Sequence, residues 1–328
     1  MTAGEHRPPA EGAAPRVPLG RRVRVRVPAT SANLGPGFDT LGLALNVHDE
    51  LEVVATESGV RVDVTGVGAP GTEHSVPTDE TNLVARALLH VFDRVGVEPP
   101  GIEITATNSI PHGRGMGSSG AAIVEGVLAA KGLLEGIVDV TDADVLRYAT
   151  ELEGHPDNVA PAIFGGLTIA WVDETGPRHK QLAVHRGVSL LVAVPDATMS
   201  TSLARSLQPT EVPHADAVFN LSRSALLVAA LTQSPELLLD ATEDRLHQTY
   251  RASAMPETSA LIGELRSAGH AAVVSGAGPS VLVLASDPAA RLEAAKLVED
   301  RAEAWHARLL AVDIRGGTVE AVPSNAAA

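Results

Sequence analysis

The sequence predicts an α+β protein built from two domains. The chain has 328 residues, of which 45% are hydrophobic, so it is long enough to bury two cores. Residues 173–187 are polar and contain Gly, Pro and several charges, which is typical of a domain boundary. Beyond them the segments follow the order β-α-β-β-α-β, which indicates a ferredoxin-like second domain. We therefore expect a disordered leader, two domains and a short tail, at residues 1–19, 20–180, 181–322 and 323–328.

The composition excludes several kinds of partner and site. The formal net charge is −15, which argues against a nucleic-acid partner because phosphate backbones are usually met by clustered Lys and Arg. The chain has no cysteine, so disulfides, thiolate nucleophiles and cysteine-based zinc sites are excluded. It shows neither a signal-peptide core nor an uncharged apolar run of about twenty residues, so we expect no export and no membrane partner. A cytoplasmic location is consistent with these features.

The elements of the first domain follow from hydrophobic periodicity. Residues 22–27 alternate Arg and Val, which predicts a strand with valines on one face. Pro28 ends this strand and begins a polar loop, stiffened by Gly and Pro, that runs to Asp39. The remaining predictions are a strand pair, two helices, a turn and a buried strand, at residues 51–55 with 60–64, 82–94, 142–153, 154–161 and 164–170.

The second domain begins with an almost unbroken apolar run at residues 188–194, which predicts a buried strand. Gly276, Gly278 and Pro279 form a second glycine-rich turn between two short apolar strands. The other predicted elements are four helices and those two strands, at residues 217–231, 235–246, 259–268, 288–302, 271–274 and 281–285.

A glycine-rich stretch at residues 111–122 precedes a helix of small residues and is the strongest chemical signal in the sequence. Three alternate glycines let backbone N–H groups converge on one point, and a helix N-terminus adds partial positive charge. This combination favours a polyphosphate ligand. Ser118 and Ser119 follow, so that one hydroxyl could cap the helix and the other could reach a phosphate-bound Mg²⁺.

Other interpretations compete with this one. A glycine-rich turn before a helix is common without any ligand. A Rossmann dinucleotide site needs a third glycine where this sequence has Ser118. A P-loop needs a Gly-Lys-Ser/Thr end, yet the three lysines of the chain are Lys131, Lys180 and Lys296.

Three motifs, at residues 28–39, 111–122 and 275–280, occur in the order found in a known family. On these motifs the chain resembles the GHMP kinase superfamily and, within it, the homoserine kinases, over roughly residues 22–318. Met116 stands where the family motif has leucine, a volume-conserving change. The segments around Ala32 and Asn158 are similar to the homoserine kinase form, since sister families place a lysine near the first position and a catalytic aspartate at the second.

The resemblance implies a fold and an activity. The fold would combine a first domain like domain 2 of ribosomal protein S5, which has an unusual left-handed β-α-β crossover, with a ferredoxin-like second domain. The activity would be ATP-dependent phosphorylation of the L-homoserine side-chain hydroxyl to O-phospho-L-homoserine, on the route to threonine. The family also suggests a homodimer.

The resemblance also implies which residues hold ATP and Mg²⁺. Asn82 would lie near the adenine, although it could equally be only a helix cap. Ser119 and Glu151 would bind Mg²⁺, with Glu153 as the alternative carboxylate. The residues expected around the phosphates are Pro111, Gly113, Arg114, Gly115, Met116, Gly117, Ser118 and Ser119.

Homoserine is a small zwitterion, so its site needs a carboxylate clamp, acceptors for the ammonium and a group that orients the hydroxyl. Paired N–H donors suit arginine for the clamp, and Arg205 and Arg251 stand at matching family positions. The other substrate contacts implied are Asn33, Asp39, His155 and Asn158.

Phosphoryl transfer asks mostly for positioning and charge stabilisation. We expect direct attack by the hydroxyl, with Asn158, Thr201 and Arg205 at the reacting groups, because an asparagine cannot act as a base. Asp157 as a hidden base is an alternative. A sister small-molecule kinase and a non-catalytic ATP-binding sensor are the two other functions that the sequence leaves open.

Overall fold

A computed structural model describes residues 16–72, 74–301 and 305–323. Most of the expected leader and tail therefore lies outside the described residues. Structure begins before residue 20, because Val17 is only 6% exposed and packs in the main core. The backbone N–H of Gly20 also donates to the carbonyl of Ala55 at 2.8 Å. The first domain accordingly includes residues that the sequence assigned to the leader.

The first domain is built on a seven-stranded sheet. The strict alternation at residues 22–27 is confirmed, since the valines are buried and the arginines exposed. The strands along the main path lie in the order β11-β1-β2-β4-β3, and β5 pairs with both β2 and β6. Their bounds are β1 Arg22–Ala32, β2 Leu41–Thr56, β3 Val60–Gly66, β4 Gly101–Asn108, β5 Leu167–Asp173, β6 Gly176–Leu182 and β11 Thr318–Val322.

The expected pairing of residues 51–55 with 60–64 is wrong. Strand β3 pairs in parallel with β4, and β4 lies between β3 and β2. The helix between β3 and β4 makes this parallel arrangement possible, because a parallel pair needs a long crossover connection. The β3-helix-β4 segment is thus the β-α-β unit of this domain.

In the part of the chain that the structure describes, four helices cover the first sheet: α1 Leu83–Val95, α2 Ser118–Leu133, α3 Asp142–Glu153 and α4 Pro156–Phe164. Helix α2 is the central one and packs closely on α1. A Cβ at Gly126 would lie 2.3 Å from the carbonyl oxygen of Val84, so only glycine permits this approach. The start of α3 is confirmed as a capping box formed by Thr141 and Asp144.

Helix α4 replaces the turn expected at residues 154–161. Pro156 occupies the first helical turn, where its missing N–H costs nothing, and Pro161 lies inside the helix. Pro161 cannot donate to the carbonyl of Asp157, four residues earlier. That carbonyl lies so close to Gly42 that a Cβ there would be 2.1 Å from it. The close contact fixes α4 against β2.

The ferredoxin-like arrangement of the second domain is confirmed. Its sheet has four antiparallel strands in the order β10-β7-β9-β8. The strands are β7 Ser189–Pro195, β8 Ala271–Val274, β9 Val281–Ala285 and β10 Trp305–Leu310, and the helices are α5 Thr201–Ser206, α6 His214–Thr232, α7 Leu238–Ala241, α8 Gln248–Arg251, α9 Pro256–Ser267 and α10 Pro288–Glu299.

One continuous helix at residues 235–246 was expected and is not present. A 3₁₀ turn at Pro235–Leu237 leads into the short α7, which ends at Ala241. Asp244 then accepts hydrogen bonds from the backbone N–H groups of Leu246, His247 and Gln248. Its carboxylate takes the amides that a continuing helix would use, so the chain turns there.

The boundary between the domains differs from residues 180/181. Strands β5 and β6 form a hairpin of the first sheet that ends at Leu182. The last strand, β11, also belongs to the first sheet, because it pairs antiparallel with β1. The second domain therefore occupies the chain between β6 and β11.

Among the described residues, α6 is the one helix with the length and hydropathy of a membrane-spanning helix. Of its apolar 18-residue stretch, 22% is buried inside the protein. It carries the charged residues Asp216 and Arg223. Leu227 and Leu231 pack in the main core, so α6 is an integral part of the second domain.

Candidate active site

A cavity of about 230 Å³, the inter-domain cavity, lies where the three sequence motifs meet. It receives residues from both domains. The first motif contributes Asn33 and Asp39, the second supplies the glycines and serines that open α2, and the third adds Gly276, Ala277 and Gly278. The other lining residues are Glu153, His155, Asp157, Asn158, Met199, Ser200, Arg205 and Arg251.

The glycines of the second motif hold a conformation that other residues rarely adopt. Gly113, Gly115 and Gly117 have φ angles of +64°, +70° and +71°. Side chains are also excluded by close neighbours, because a Cβ at Gly115 would lie 2.1 Å from the Ser275 carbonyl oxygen. Gly117, rather than either serine, is the N-cap of α2. The helix N-terminus therefore opens toward the cavity with its first amides uncapped by a side chain, as an anion site requires.

Hydroxyl groups connect the three motifs. The Ser275 hydroxyl contacts the Gly115 carbonyl oxygen at 2.6 Å and the Ser31 hydroxyl at 2.9 Å. A Cβ at Gly117 would lie 2.0 Å from the Thr30 hydroxyl oxygen, so the first motif packs directly beneath the second. These contacts explain why small and hydroxylated residues occupy all three motifs.

The first motif holds strained backbone at the cavity wall. Asn33, Leu34 and Asp39 have φ angles of +70°, +50° and +53°, which is uncommon outside glycine. Asn33 stabilises this loop, since its amide oxygen accepts from the Asp39 N–H at 3.0 Å and its amide nitrogen donates to the Gly276 carbonyl at 2.9 Å. Asn33 thus links the first and third motifs, in addition to lining the cavity.

Of the expected metal pair, Ser119 lines the inter-domain cavity and Glu151 does not. Glu151 faces away from the cavity and binds His90 at 2.9 Å and Arg94 at 3.1 Å. Glu153 lines the cavity and accepts a hydrogen bond from the Ser119 hydroxyl at 3.2 Å. Two residues apart on a helix are rotated by about 200°, so only one of the two glutamates can face α2.

Glu153, His155 and Asp157 form one charged cluster. Burial raises the pKa of Glu153, against the opposing positive charge of His155. Burial would lower the pKa of His155, but the hydrogen bond from its Nδ1 to Asp157 and the carboxylate charge outweigh burial and raise it. Asp157 is 1% exposed and engaged with His155. Its carboxylate therefore has a structural partner.

Arg205 and Asp39 form an ion pair at the wall of the inter-domain cavity. Two guanidinium nitrogens of Arg205 lie 3.0 and 3.3 Å from the two carboxylate oxygens of Asp39. Both side chains remain partly exposed, at 41% and 38%. The pair joins α5 of the second domain to the first motif.

Arg251 is the buried cation of the cavity, with 3% exposure. Its guanidinium lies over the Phe38 ring, 5.2 Å from the centroid. Burial lowers the pKa of Arg251 from its usual value, while the charge of Asp39 opposes that shift. A guanidinium stays protonated in proteins, so a buried positive charge faces the cavity.

Asn158 lies at the start of α4, with its side chain at the cavity wall. Its amide oxygen accepts from the Thr30 hydroxyl at 3.0 Å. This contact orients the amide so that its NH₂ group is the free donor. The side chain of Thr201 lies outside the described residues.

A second cavity, the α2 cavity, adjoins the first and shares Ser118 and Ser119 with it. It has a volume of about 250 Å³. Asn82 lines it and is confirmed as the cap of α1, since its amide oxygen accepts from Val84 N–H at 2.9 Å. Its amide nitrogen donates to the Pro77 carbonyl at 2.8 Å. Both ends of this amide are thus used within the protein.

Three residues that were expected around the phosphates do not line the inter-domain cavity. The Arg114 guanidinium donates to the carbonyls of Pro195 and Asp196 at 2.8 and 2.7 Å, which ties the loop to the end of β7. Met116 is fully buried in the core, and Pro111 is also buried and does not line the inter-domain cavity. The buried side chain of Met116 anchors the loop in the core. These residues therefore support the loop rather than contact the cavity.

Sequence reasoning missed several residues of the two cavities. Asp49 and Glu125 line the α2 cavity and are 3% and 2% exposed. A carboxylate within an otherwise apolar helix was the available signal for Glu125. Thr30, which positions Asn158, had no comparable signal.

Comparison with known proteins agrees with this geometry. The family model for the GHMP kinases N terminal domain matches residues 82–166, and the model for the GHMP kinases C terminal domain matches residues 225–302. The chain is 66% identical over 310 residues to the homoserine kinase of Clavibacter michiganensis subsp. michiganensis, covering 94% of this chain and 97% of that one. It is also 66% identical over 309 residues to the homoserine kinase of Leifsonia xyli subsp. xyli, covering 94% of each.

Solved structures give the same result. The crystal structure of homoserine kinase from Cytophaga hutchinsonii has a TM-score of 0.79 to this chain at 28% identity, covering 91% of this chain and 97% of the other. That structure and the two sequence relatives are all homoserine kinases by name. The chain belongs to the GHMP kinase family of ATP-dependent small-molecule kinases, within its homoserine kinase group.

Proposed function

We propose that this protein transfers the γ-phosphoryl group of ATP to the side-chain hydroxyl of L-homoserine, giving O-phospho-L-homoserine for threonine biosynthesis. The observation that carries the proposal is the pair of adjoining cavities, one largely apolar and one charged, which share the start of α2. A nucleotide can place its base in the first and its phosphates at the second. Relatives named homoserine kinase cover nearly the whole chain and support the choice of substrate.

The triphosphate belongs at the N-terminus of α2. The positive φ angles at Gly113, Gly115 and Gly117 turn the backbone toward the cavity, and the helix dipole favours negative charge there. No lysine lines either cavity among the described residues. The protein groups that can stabilise the phosphate charge are therefore backbone N–H groups and arginine side chains.

Ser119 and Glu153 fit a magnesium ion. A hydroxyl and a carboxylate lie 3.2 Å apart beside the phosphate loop, and both are the oxygen ligands that Mg²⁺ prefers. Within the described residues no cluster of three or more His, Asp or Glu side chains is arranged to hold a metal. This suits Mg²⁺, which takes few protein ligands and completes its shell with phosphate oxygens and water. When bound, the ion would neutralise charge on the phosphates.

The amino-acid substrate belongs between Asp39, Arg205 and Arg251. Arg251 supplies a fixed, buried positive charge for the substrate carboxylate. Asp39 offers carboxylate acceptors, His155 is a further polar lining residue, and Asn158 offers its NH₂ group. The clamp, the acceptors and an orienting donor expected for a small zwitterion are thereby supplied by lining residues.

The chemistry we propose is direct attack by the substrate hydroxyl on the γ-phosphate. The carboxylate nearest Asn158 in sequence is Asp157, which is buried and bound to His155. A loose transition state asks for positioning and charge stabilisation more than for a base. Arg205 would stabilise the transferring group, and Thr201, whose side chain is not described, would lie near it.

We further propose that the protein works in the cytoplasm as a homodimer without nucleic-acid or membrane partners. The negative net charge of −15 supports the absence of a nucleic-acid partner.

The experiment that tests this function is an ADP-release assay with Mg²⁺ and ATP across homoserine, mevalonate, galactose and shikimate. We expect kcat/KM for L-homoserine to exceed that of the other alcohols clearly. A comparable or greater value for mevalonate would indicate a sister kinase, and ATP binding without any turnover would indicate a sensor.

A further inference from the structure

A carboxyl group without a partner lies in the wall of the α2 cavity. Glu125 is on the helix α2, and its side chain is 2% exposed. Its Oε1 atom is buried and has no hydrogen-bond partner within the described residues. An unpaired buried polar atom costs stability, so its presence in a folded protein calls for an explanation, and a ligand that supplies the partner is one.

The position of Glu125 along α2 gives its depth. Ser118, Ala122 and Glu125 are spaced by four and three residues, so they lie on one face of the helix, and all three line the cavity. At 1.5 Å per residue, Glu125 lies about 10 Å along the helix axis from Ser118, the first residue of α2. That distance is roughly the length of a nucleoside. Glu125 is thus at the far end of the cavity.

The walls around this end are mostly apolar. Val62, Val64, Ile104 and Ala106 from strands β3 and β4 line the cavity opposite α2. They form a slot suited to a flat heterocycle.

Two other polar side chains that line this cavity make hydrogen bonds within the protein. Asp49 accepts from the backbone N–H groups of Ser109 and Ile110 at 2.5 and 2.8 Å. The amide of Asn82 is used at both ends. Glu125 is the side chain lining this cavity that has a fully buried polar atom without a partner within the described residues.

The surroundings of Glu125 favour its neutral form. Burial raises the pKa of Glu125 well above its usual range, and the charge of Asp49 raises it further. A neutral carboxyl group presents an acceptor and a donor side by side. The edge of adenine that carries the 6-amino group presents the complementary donor and ring-nitrogen acceptor.

We propose that Glu125 recognises the base of ATP by accepting a hydrogen bond from the 6-amino group of adenine. The proposal rests on the proposed function, because it takes the α2 cavity to be the site of the nucleotide base. Glu125 would then be a specificity-determining residue. Its unpaired carboxyl group destabilises the protein without nucleotide and gains a hydrogen-bond partner when the base binds.

The test is calorimetric binding of two nucleotides, ATP and purine riboside 5′-triphosphate, which lacks the amino group. The wild type is expected to bind ATP about tenfold more tightly, which corresponds to 1.4 kcal/mol, the size of one hydrogen bond. Glu125→Met removes the acceptor and should abolish this preference. Glu125→Gln keeps an acceptor and should retain most of it.

A stability measurement separates recognition from a structural role. Glu125→Met should unfold at a temperature no lower than the wild type, because it replaces an unpaired carboxyl by an apolar group of similar length. Glu153→Gln, at the phosphate end, is the control and should weaken both nucleotides by the same factor.

The opposing outcomes are distinct. Equal binding of the two nucleotides by the wild type, or a preference for ATP that persists in Glu125→Met, overturns the role of Glu125 and leaves the kinase function standing. Failure of the wild type to bind either nucleotide overturns the nucleotide site itself, and the role of Glu125 with it.

Discussion

Arg251 lies over the ring of Phe38, 5.2 Å from its centroid, and this contact holds a buried positive charge at the wall of the inter-domain cavity. The two residues come from different domains, and they are brought together by the first motif and the short helix α8. Burial and the contact with Phe38 hold the guanidinium at this place before any substrate binds. A preorganised charge is more effective than one that must be ordered on binding.

Replacing Arg251 should therefore weaken homoserine binding. A charge-assisted hydrogen bond contributes about 1.5–3 kcal/mol, so Arg251→Ala should raise the homoserine KM about tenfold to a hundredfold. The KM for ATP should change little, and steady-state kinetics with each substrate varied in turn measures both. Arg251→Lys keeps the charge but loses the planar, paired N–H donors, so its homoserine KM should lie between those of the wild type and Arg251→Ala. A matching rise in the ATP KM would reject the assignment.

The two glutamates at the end of α3 should differ strongly. Glu153→Gln removes the carboxylate that contacts Ser119, so kcat should fall by at least a hundredfold, as for loss of a metal ligand. Glu151→Gln weakens only the surface contacts to His90 and Arg94 and should leave kcat within about twofold. Titrating Mg²⁺ in each variant provides the second readout, since only Glu153→Gln should need more of the metal. The reverse pattern would return the metal site to Glu151.

Asn158→Asp tests the role of a base. The new carboxylate would lie beside the γ-phosphate and lose the hydrogen-bonding NH₂ group, so we expect kcat to fall. A base poised for action would instead raise kcat and add an acidic limb to the pH–rate profile. The sign of the change in kcat distinguishes the two mechanisms.

Asp157→Asn is the companion variant. Because Asp157 is buried and bound to His155, its loss should lower thermal stability and affect kcat modestly. A fall in kcat of several hundredfold, with unchanged KM and an intact fold, would show that Asp157 is the base.

Asp49 should make stability depend on pH. Burial raises the pKa of Asp49 from 3.8 to about 6, against the hydrogen bonds from Ile110 and Ser109 and the charge of His48. Between about pH 4 and pH 6 the unfolded chain has lost this proton while the folded protein keeps it, so stability falls as pH rises. A displacement of that size is equivalent to roughly 3 kcal/mol above pH 6.

Asp49→Asn removes this titration and isolates it from other groups. Urea unfolding of both proteins from pH 4.5 to pH 7.5 should show the wild type losing stability relative to Asp49→Asn as pH rises. A difference between the two that does not vary with pH would mean that the buried carboxyl has an ordinary pKa.

The sequence predicted the elements of this fold better than their pairing. Strands such as β8 and β9 follow directly from apolar runs between glycine turns, and their bounds are confirmed. The position of β4 between β2 and β3 depends on a contact between distant segments, which local periodicity does not carry. Helix α4 was mistaken for a turn because two prolines lie within it, although Pro156 is compatible with a first helical turn.

The candidate site shows the same division. The motifs identified the phosphate loop, because the positive φ angles of Gly113, Gly115 and Gly117 require glycine. The choice between Glu151 and Glu153 depended on the rotation of α3 about its axis, which is fixed only by tertiary packing. Asp49 and Glu125 are 76 residues apart and become neighbours only when β2 and α2 pack together.

The pairing of β11 with β1 links the first and last described strands of the chain. During synthesis β1 leaves the ribosome long before β11. The outer edge of β1 therefore stays unpaired while nearly three hundred further residues are made. Through that interval the edge offers unpaired backbone groups to any neighbouring strand. The arginines that alternate along β1 pair with Glu50 and Glu52 of β2, so this face of the two strands is lined with charged side chains during that interval. Charged edge strands resist pairing with a second nascent chain.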